Sequence, residues 1–141
     1  MKVIYMIFVF SFLFSHDKMR CPIEITRDER PVLENFYESP TGHFLIHYDI
    51  STENSPSLLD LNQNNIPDYI EQVAMAADSS RYVLIEQMGF IQETNDEDGI
   101  YDIYVLDLST NLWGQTQYES GGSTFIKIRN SYQGMSNFCE D

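Results

Sequence analysis

The sequence predicts an α+β domain in which one long helix packs on a small mixed sheet. Apolar and polar residues alternate in several short segments, as they do in strands with one buried face. Between the first and second of these segments, apolar residues recur at helical spacing from Asp68 onwards. The chain has 141 residues, which is enough for one domain at most.

The N-terminal region has the pattern of an export signal. Residues 3–14 are apolar or nearly so, follow a basic start at Lys2, and are too few to span a membrane, which takes about 20. We therefore predict a signal peptide over residues 1–19 and a secreted or cell-envelope protein with no stable membrane span after cleavage. A buried strand or an uncleaved anchor is the alternative. Residues 20–41 are polar and contain three prolines, so they are interpreted as a leader or pro-segment, and the domain as residues 42–141.

Charge and cysteine content restrict the partners and the compartment. The net charge of −14 argues against nucleic acid, whose phosphates would be repelled, and suits an exported protein in a medium that contains calcium. The two cysteines, Cys21 and Cys139, stand near opposite ends of the predicted mature chain. In an exported protein they could form a bridge, or each could pair with a cysteine outside this sequence.

Four segments are predicted as strands, and one as a long helix. Residues 42–50 form the first strand, where His43 and His47 lie on one face but about 13 Å apart, too far to share an ion. The helix begins at Asp68 and ends near Gly89, after an apolar stripe that includes Leu84 and Met88. The other strands are residues 100–108, 115–118 and 123–132, and the charges alternating along the last one indicate an edge strand.

The most informative stretch is DLNQNNIPDYIE, residues 60–71. Oxygen-bearing side chains stand at its first, third, fifth, ninth and twelfth places, and the seventh residue can offer its backbone carbonyl. In this order the residues are Asp60, Asn62, Asn64, Asp68, Glu71 and, at the seventh place, Ile66. Calcium takes about six to eight oxygens, and a twelve-residue loop with this spacing and a closing Glu supplies them. The sequence therefore predicts a calcium site.

One position of this calcium loop departs from the usual pattern. The sixth residue is Asn65, where the sharp turn normally requires Gly, and Asn is the best substitute because it tolerates a positive φ. The alternative interpretation is a polar turn that caps the helix, and it is compatible with calcium binding. A second acidic loop contains Asp96, Asp98 and Asp102, but it lacks a closing Glu, so we interpret it as a solvated turn, with a second cation site as the alternative.

The segments HFLIHYD, DLNQNNIPDYIE and YDIYVLDL, in the order strand, calcium loop, long helix and strand, resemble a family of secreted bacterial metalloproteases of the zincin class. The resemblance extends from Gly42 to the C-terminus. It implies a zincin-like N-terminal subdomain, in which the edge strand, residues 123–132, would bind an extended peptide substrate by strand addition. In such proteins a helix carrying H-E-x-x-H then follows and binds the catalytic zinc.

This sequence contains no H-E-x-x-H motif, so zinc is expected only in a full-length relative. Its three histidines are His16, His43 and His47, whereas a catalytic zinc needs three protein ligands and an open position for water. Nor does the sequence contain a nucleophile elbow or a glycine-rich phosphate loop. We therefore expect a calcium-binding fragment of a zincin-like metalloprotease, truncated before the active-site helix and inactive as it stands. The alternatives are a non-enzymatic extracellular module, adhesive or part of a matrix, and a mis-called reading frame with no function of its own.

Overall fold

The computed structural model describes residues 29–93, 98–108, 112–119 and 121–132. The predicted signal peptide, both cysteines and Asp96 lie outside the described residues.

The described part of the chain forms a five-stranded mixed sheet with one α-helix. In chain order its elements are β1 (Asn35–Glu38), β2 (Phe44–Tyr48), α1 (Asp68–Arg81), a π-helical segment (Tyr82–Gln87), β3 (Tyr101–Leu106), β4 (Gly114–Tyr118) and β5 (Thr124–Arg129). The strand order across the sheet is β1-β2-β3-β5-β4. Strands β2, β3 and β5 are parallel, whereas β1 and β4 pair antiparallel with their neighbours. The predicted α+β class, with one long helix on a mixed sheet, is confirmed.

The core lies between α1 and the face of the sheet beneath it. Residues of β2 alternate as predicted, so that Phe44, Ile46 and Tyr48 are buried. They pack with Ile70 and Ala74, the two residues of α1 that are fully enclosed. The central strand β3 is buried along most of its length, because it pairs with β2 and β5 on its two sides and Arg30 lies against its Asp102.

Strand β1 lies within the region interpreted as a leader. It pairs with β2 in register from Asn35 opposite Tyr48 to Glu38 opposite Leu45. The turn after β1 is also bound to the helix, since the hydroxyls of Ser39 and Thr41 both donate to the carboxylate of Asp78. The sheet therefore begins before residue 42, and the C-terminal part of the predicted leader is one of its strands.

Strand β5 is not an edge strand, so this prediction is wrong. It is paired on both sides, in parallel with β3 and antiparallel with β4. The prediction failed because side-chain alternation reports the faces of a sheet, whereas an edge is defined by unpaired backbone groups in the perpendicular direction. The cations that suggested an edge lie over aromatic rings instead, Lys127 over Phe125 at 5.7 Å and Arg129 over Trp113 at 5.1 Å. An extended peptide cannot add to β5.

The long helix has the predicted limits, but its C-terminal part does not bury the predicted stripe. It begins at Asp68, passes into the π-helical segment, and ends before Gly89, whose φ of 70° is typical of a helix stop. Leu84 and Met88 are exposed, at 45% and 61%. The helix is of the π type here, with the Met88 N–H bonded to the Val83 carbonyl, and Leu84 lines an open cavity together with Val73 and Ala77 instead of being enclosed in the core.

No helix among the described residues is long and apolar enough to cross a membrane.

Candidate metal centre

The backbone of the calcium loop turns as the sequence predicts. Asn65 has a φ of 69°, which is the left-handed conformation expected at the sixth place of such a loop, and Gln63 has a φ of 58°. The carboxylate of Asp60 accepts the backbone N–H groups of Asn64 at 3.2 Å and Asn65 at 2.8 Å. The first residue of the loop therefore closes the turn around its own side chain, because carboxylates readily accept hydrogen bonds from nearby backbone groups.

Two amide side chains continue this pattern around the turn. The Oδ1 atom of Asn62 accepts the Asn64 N–H at 3.0 Å, and the Oδ1 atom of Asn64 accepts the Ile66 N–H at 2.8 Å. These local bonds are typical of Asn in tight turns, and they hold alternate side chains towards the inside of the loop.

The carboxylate of Glu71 closes the loop from the first turn of α1. Its Oε2 atom accepts the Asn62 amide at 3.0 Å, and its Oε1 atom accepts the Asn64 amide at 2.7 Å. The two N–H donors stand where a cation would face the carboxylate. Residues nine and seven positions apart in the sequence are thus brought together because the chain reverses at Asn65 and then enters the helix.

The two remaining predicted ligands connect the loop to the domain. Asp68 accepts the Leu61 N–H, at 3.2 and 3.3 Å from its two oxygens, and its own N–H donates to the Leu59 carbonyl at 2.8 Å. The side chain of Ile66 packs against the hydrophobic core. Ile66 therefore anchors the loop to the domain, and its backbone carbonyl is the ligand predicted at the seventh place of the loop.

The donor set fits calcium better than a transition metal. Asp60, Asn62, Asn64 and Glu71 are brought together with oxygen donors, and Asp68 is bonded to the adjacent backbone. Hard cations such as calcium prefer carboxylate and amide oxygens, whereas zinc prefers imidazole and thiolate. Within the described ranges, no three His, Cys, Asp or Glu side chains form a metal-binding group. The three carboxylates of the loop, Asp60, Asp68 and Glu71, are therefore not gathered around one point, and Asp68 is bonded instead to the backbone of Leu61.

The second acidic loop does not gather its described carboxylates in the same way. Asp98 accepts the Ile100 N–H at 2.9 Å, as in an ordinary turn. Asp102 instead lies in β3 and is buried, with 4% of its surface exposed, and its carboxylate binds Arg30 and His47. Asp102 is therefore paired with Arg30 and does not belong to a second cation site in this loop.

Arg30 is the charged residue that the sequence did not single out. Its guanidinium binds the carboxylates of both Asp102 and Glu119, the latter through Nε to Oε1 at 2.6 Å. Hydrogen bonding to Glu119 is the main reason that the pKa of Arg30 is raised, and the same bond from Arg30 lowers the pKa of Glu119. His47 completes the cluster, with Nε2 at 2.6 Å from Asp102 and its ring stacked on Tyr104 at 4.4 Å. The predicted strand histidine is thus a partner of a buried carboxylate.

Two further groups near the core have shifted pKa values. Burial raises the pKa of Tyr104 to about 12, with the charge of Asp102 acting in the same direction. Burial alone would raise the pKa of Asp49, but hydrogen bonds from Thr52, the Glu34 N–H and Asn54 lower it below its ordinary value. The groups that shift these two pKa values all lie outside residues 60–71, so the shifts concern the stability of the fold and not the calcium loop.

No family model, curated protein or solved structure matches the chain. The geometry of its own residues is therefore the basis for assigning a function.

Proposed function

We propose that this chain is an exported calcium-binding domain whose ion binds in the loop of residues 60–71 and fixes the start of α1. The observation that supports this best is the closure of the loop, where the Glu71 carboxylate faces the amides of Asn62 and Asn64. The positive φ of Asn65 permits this closure. A polar turn that only caps the helix would not need a carboxylate from the helix to reach back across the loop.

Calcium would replace the two amide N–H donors in front of Glu71. The side chains of Asn62 and Asn64 would turn over, so that their Oδ1 atoms face the ion, and Glu71 would bind through both oxygens. The carboxylates of Asp60 and Asp68 and the Ile66 carbonyl would complete the shell. Because the ion offsets the negative charge of three carboxylates in one loop, binding would stabilise the folded chain more than the unfolded one.

Replacing Glu71 with Gln tests this site directly. The change keeps the size of the side chain but removes one charge and the bidentate ligand, so we expect calcium affinity to fall at least about tenfold. Glu86→Gln is the matched control, because Glu86 belongs to the same long helix and its side chain is 59% exposed, outside the loop. Calorimetric titration of both variants would measure the affinities. Equal affinity in the Glu71→Gln variant and the parent chain would exclude this loop as the site.

The same proposal includes an origin in a zincin-type metalloprotease. The order of β2, loop, α1 and β3 agrees with the resemblance, and the chain itself lacks the H-E-x-x-H motif. We therefore propose that this chain is catalytically inactive, with zinc bound only in a full-length relative. A peptide substrate of that relative would add to β4, which has no second strand beside it in the described part of the sheet.

A non-enzymatic extracellular module is the alternative function, because the calcium loop does not depend on zinc chemistry. Sequencing of the downstream coding region distinguishes the two. An H-E-x-x-H motif encoded within a few tens of residues would support the protease origin. An unrelated gene after a genuine stop would support the module.

A further inference from the structure

The face of the sheet that points away from α1 carries two carboxylates with a guanidinium group between them. Side chains alternate along a strand, so His47 of β2 and Asp102 of β3 lie on the face opposite the residues that pack on the helix. Glu119 follows β4 and reaches the same place. The guanidinium of Arg30 binds the carboxylates of both Asp102 and Glu119, so it joins the end of β4 to the central strand.

The contacts of this guanidinium are specific for its shape as well as its charge. Glu119 binds it through both oxygens, with Nε at 2.6 Å from Oε1 and Nη2 at 2.8 Å from Oε2. This bidentate arrangement requires the planar fork of N–H groups that arginine has and lysine lacks. Asp102 accepts a further hydrogen bond from Nη1, and the ring of Phe125 lies 5.7 Å from the central carbon. Charge, donor geometry and an aromatic face are therefore all matched to a guanidinium.

Both carboxylates are also held by residues other than Arg30. Nε2 of His47 lies 2.6 Å from Oδ1 of Asp102, and the hydroxyl of Ser123 donates to Oε2 of Glu119 at 2.7 Å. Asp102 is in addition enclosed in the sheet, with 4% of its side chain exposed. Removing the Arg30 side chain would therefore leave two oriented carboxylates facing the space that the guanidinium had occupied.

Arg30 reaches these carboxylates from a segment without regular secondary structure, residues 29–34, which we call the strap. The strap precedes β1, whose pairing with β2 begins at Asn35, so its displacement would break no strand pairing. Within the strap Val32 is 97% exposed, and the Glu34 N–H donates to Asp49 at 2.8 Å next to β1. The guanidinium is thus brought to the sheet as a ligand is, by a segment that is not itself part of the sheet.

We propose that Asp102 and Glu119 form a guanidinium-binding site, which Arg30 fills in this chain and which binds another guanidinium group when Arg30 leaves it. Arg30 is then an autoinhibitory contact, because the strap keeps it at a high local concentration that a second molecule has to overcome. The site shares no residue with the calcium loop.

Arg30→Ala opens the site, and methylguanidinium is a probe small enough to enter the space that the side chain leaves. The melting temperature of this variant should rise with the probe concentration and then saturate, because the site exists only in the folded chain. The parent chain, whose site is filled, should show no saturable rise. Methylammonium is the control for charge and ionic strength, since it lacks the planar fork. An equal rise with methylammonium would overturn the proposal. So would the absence of a rise with methylguanidinium, including the case in which Lys127, also 5.7 Å from the Phe125 ring, replaces Arg30.

Arg81→Ala is the matched control for an ordinary ion pair. The Nε atom of Arg81 is 2.8 Å from Glu93, and Glu86 lies 3.7 Å from the same guanidinium and is 59% exposed. This arginine thus has one close carboxylate, whereas Arg30 has a bidentate one and a buried one. We expect methylguanidinium to bind the Arg81→Ala variant at least about tenfold more weakly than the Arg30→Ala variant. Equal affinity would show that the probe enters any vacated arginine position, and the proposal would fail.

Adding Asp102→Asn to the Arg30→Ala variant locates the site. The affinity for methylguanidinium should fall at least about tenfold, because a charged acceptor is lost while the shape of the side chain is kept. Unchanged affinity would exclude these carboxylates as the site. If the Arg30→Ala chain is unfolded on its own, methylguanidinium should restore the circular dichroism of the folded parent, and a chain that stays unfolded at saturating probe would overturn the proposal.

Capped arginine, with an acetylated N-terminus and an amidated C-terminus, distinguishes two sources of the guanidinium group. If it stabilises the Arg30→Ala variant as methylguanidinium does, the site takes the arginine side chain of another polypeptide. If methylguanidinium alone binds, the site takes a small guanidinium compound.

Discussion

Replacing Arg30 with Met removes the cation that binds the buried carboxylate of Asp102. Methionine keeps an apolar stem against Phe125, whose ring lies 5.7 Å from the guanidinium, so the change mainly removes charge. Leaving one partner of a buried ion pair alone costs about 3–5 kcal/mol. Arg30 is 27% exposed and Glu119 is 21% exposed, and His47 still contacts Asp102, so water and the histidine reduce the cost. We expect a loss of about 2–3 kcal/mol in the free energy of unfolding.

Urea unfolding followed by the fluorescence of Trp113, the single tryptophan, would measure this loss. Glu29→Gln is the control, because it changes a charge on the neighbouring residue, which is exposed. Adding Asp102→Asn to the Arg30→Met variant should recover part of the loss, since the buried position 102 then carries no unpaired charge. If the free energy of unfolding of the Arg30→Met variant lies within about 0.5 kcal/mol of that of the parent chain, the ion pair does not hold the N-terminal segment on the sheet.

The remaining predictions concern the loop turn and the dependence of stability on pH. Asn65→Val should destabilise the fold by about 1–2 kcal/mol and weaken calcium binding, because a β-branched residue strongly disfavours the φ of 69°; a melting temperature and affinity equal to the parent's would refute this. The pKa values of Asp49 and Glu119 lie below their ordinary 3.8 and 4.5 in the folded chain, so their stabilising contribution is present above those values and is lost as the pH falls through the lowered ones. The pKa of Tyr104 is raised from 10.0 to about 12, so stability should also fall as the pH rises through this interval, and Tyr104→Phe should make that fall shallower. Urea midpoints measured across the pH range test both slopes, and a flat profile at both ends would contradict them.

Local patterns in the sequence predicted local structure well. The start of α1 at Asp68 and the left-handed conformation of Asn65 follow from residue types at fixed spacing, because turns and helix ends are determined by neighbouring residues. The alternation in β2 likewise predicted which of its residues are buried, since the side-chain period of a strand is two.

The same local patterns could not predict which strands pair or which distant side chains contact each other. Strand β1 has four residues, in a segment interrupted by prolines, and its partner β2 is set by tertiary contact. The pairing of Arg30 with Asp102 joins residues 72 positions apart, and no local motif signals it. The interior position of β5 depends on the order of the strands, which side-chain alternation does not encode.

We propose that the loop of residues 60–71 binds one calcium ion. The most direct measurement is a calorimetric titration of the chain beginning at residue 20, paired with thermal melting at each calcium concentration. Binding of one ion by this loop should raise the melting temperature as calcium increases, with a gain of about 2.7 kcal/mol in stability at a hundredfold excess over Kd. A chain that is folded but shows no heat of binding and no calcium-dependent change in melting temperature would contradict the claim.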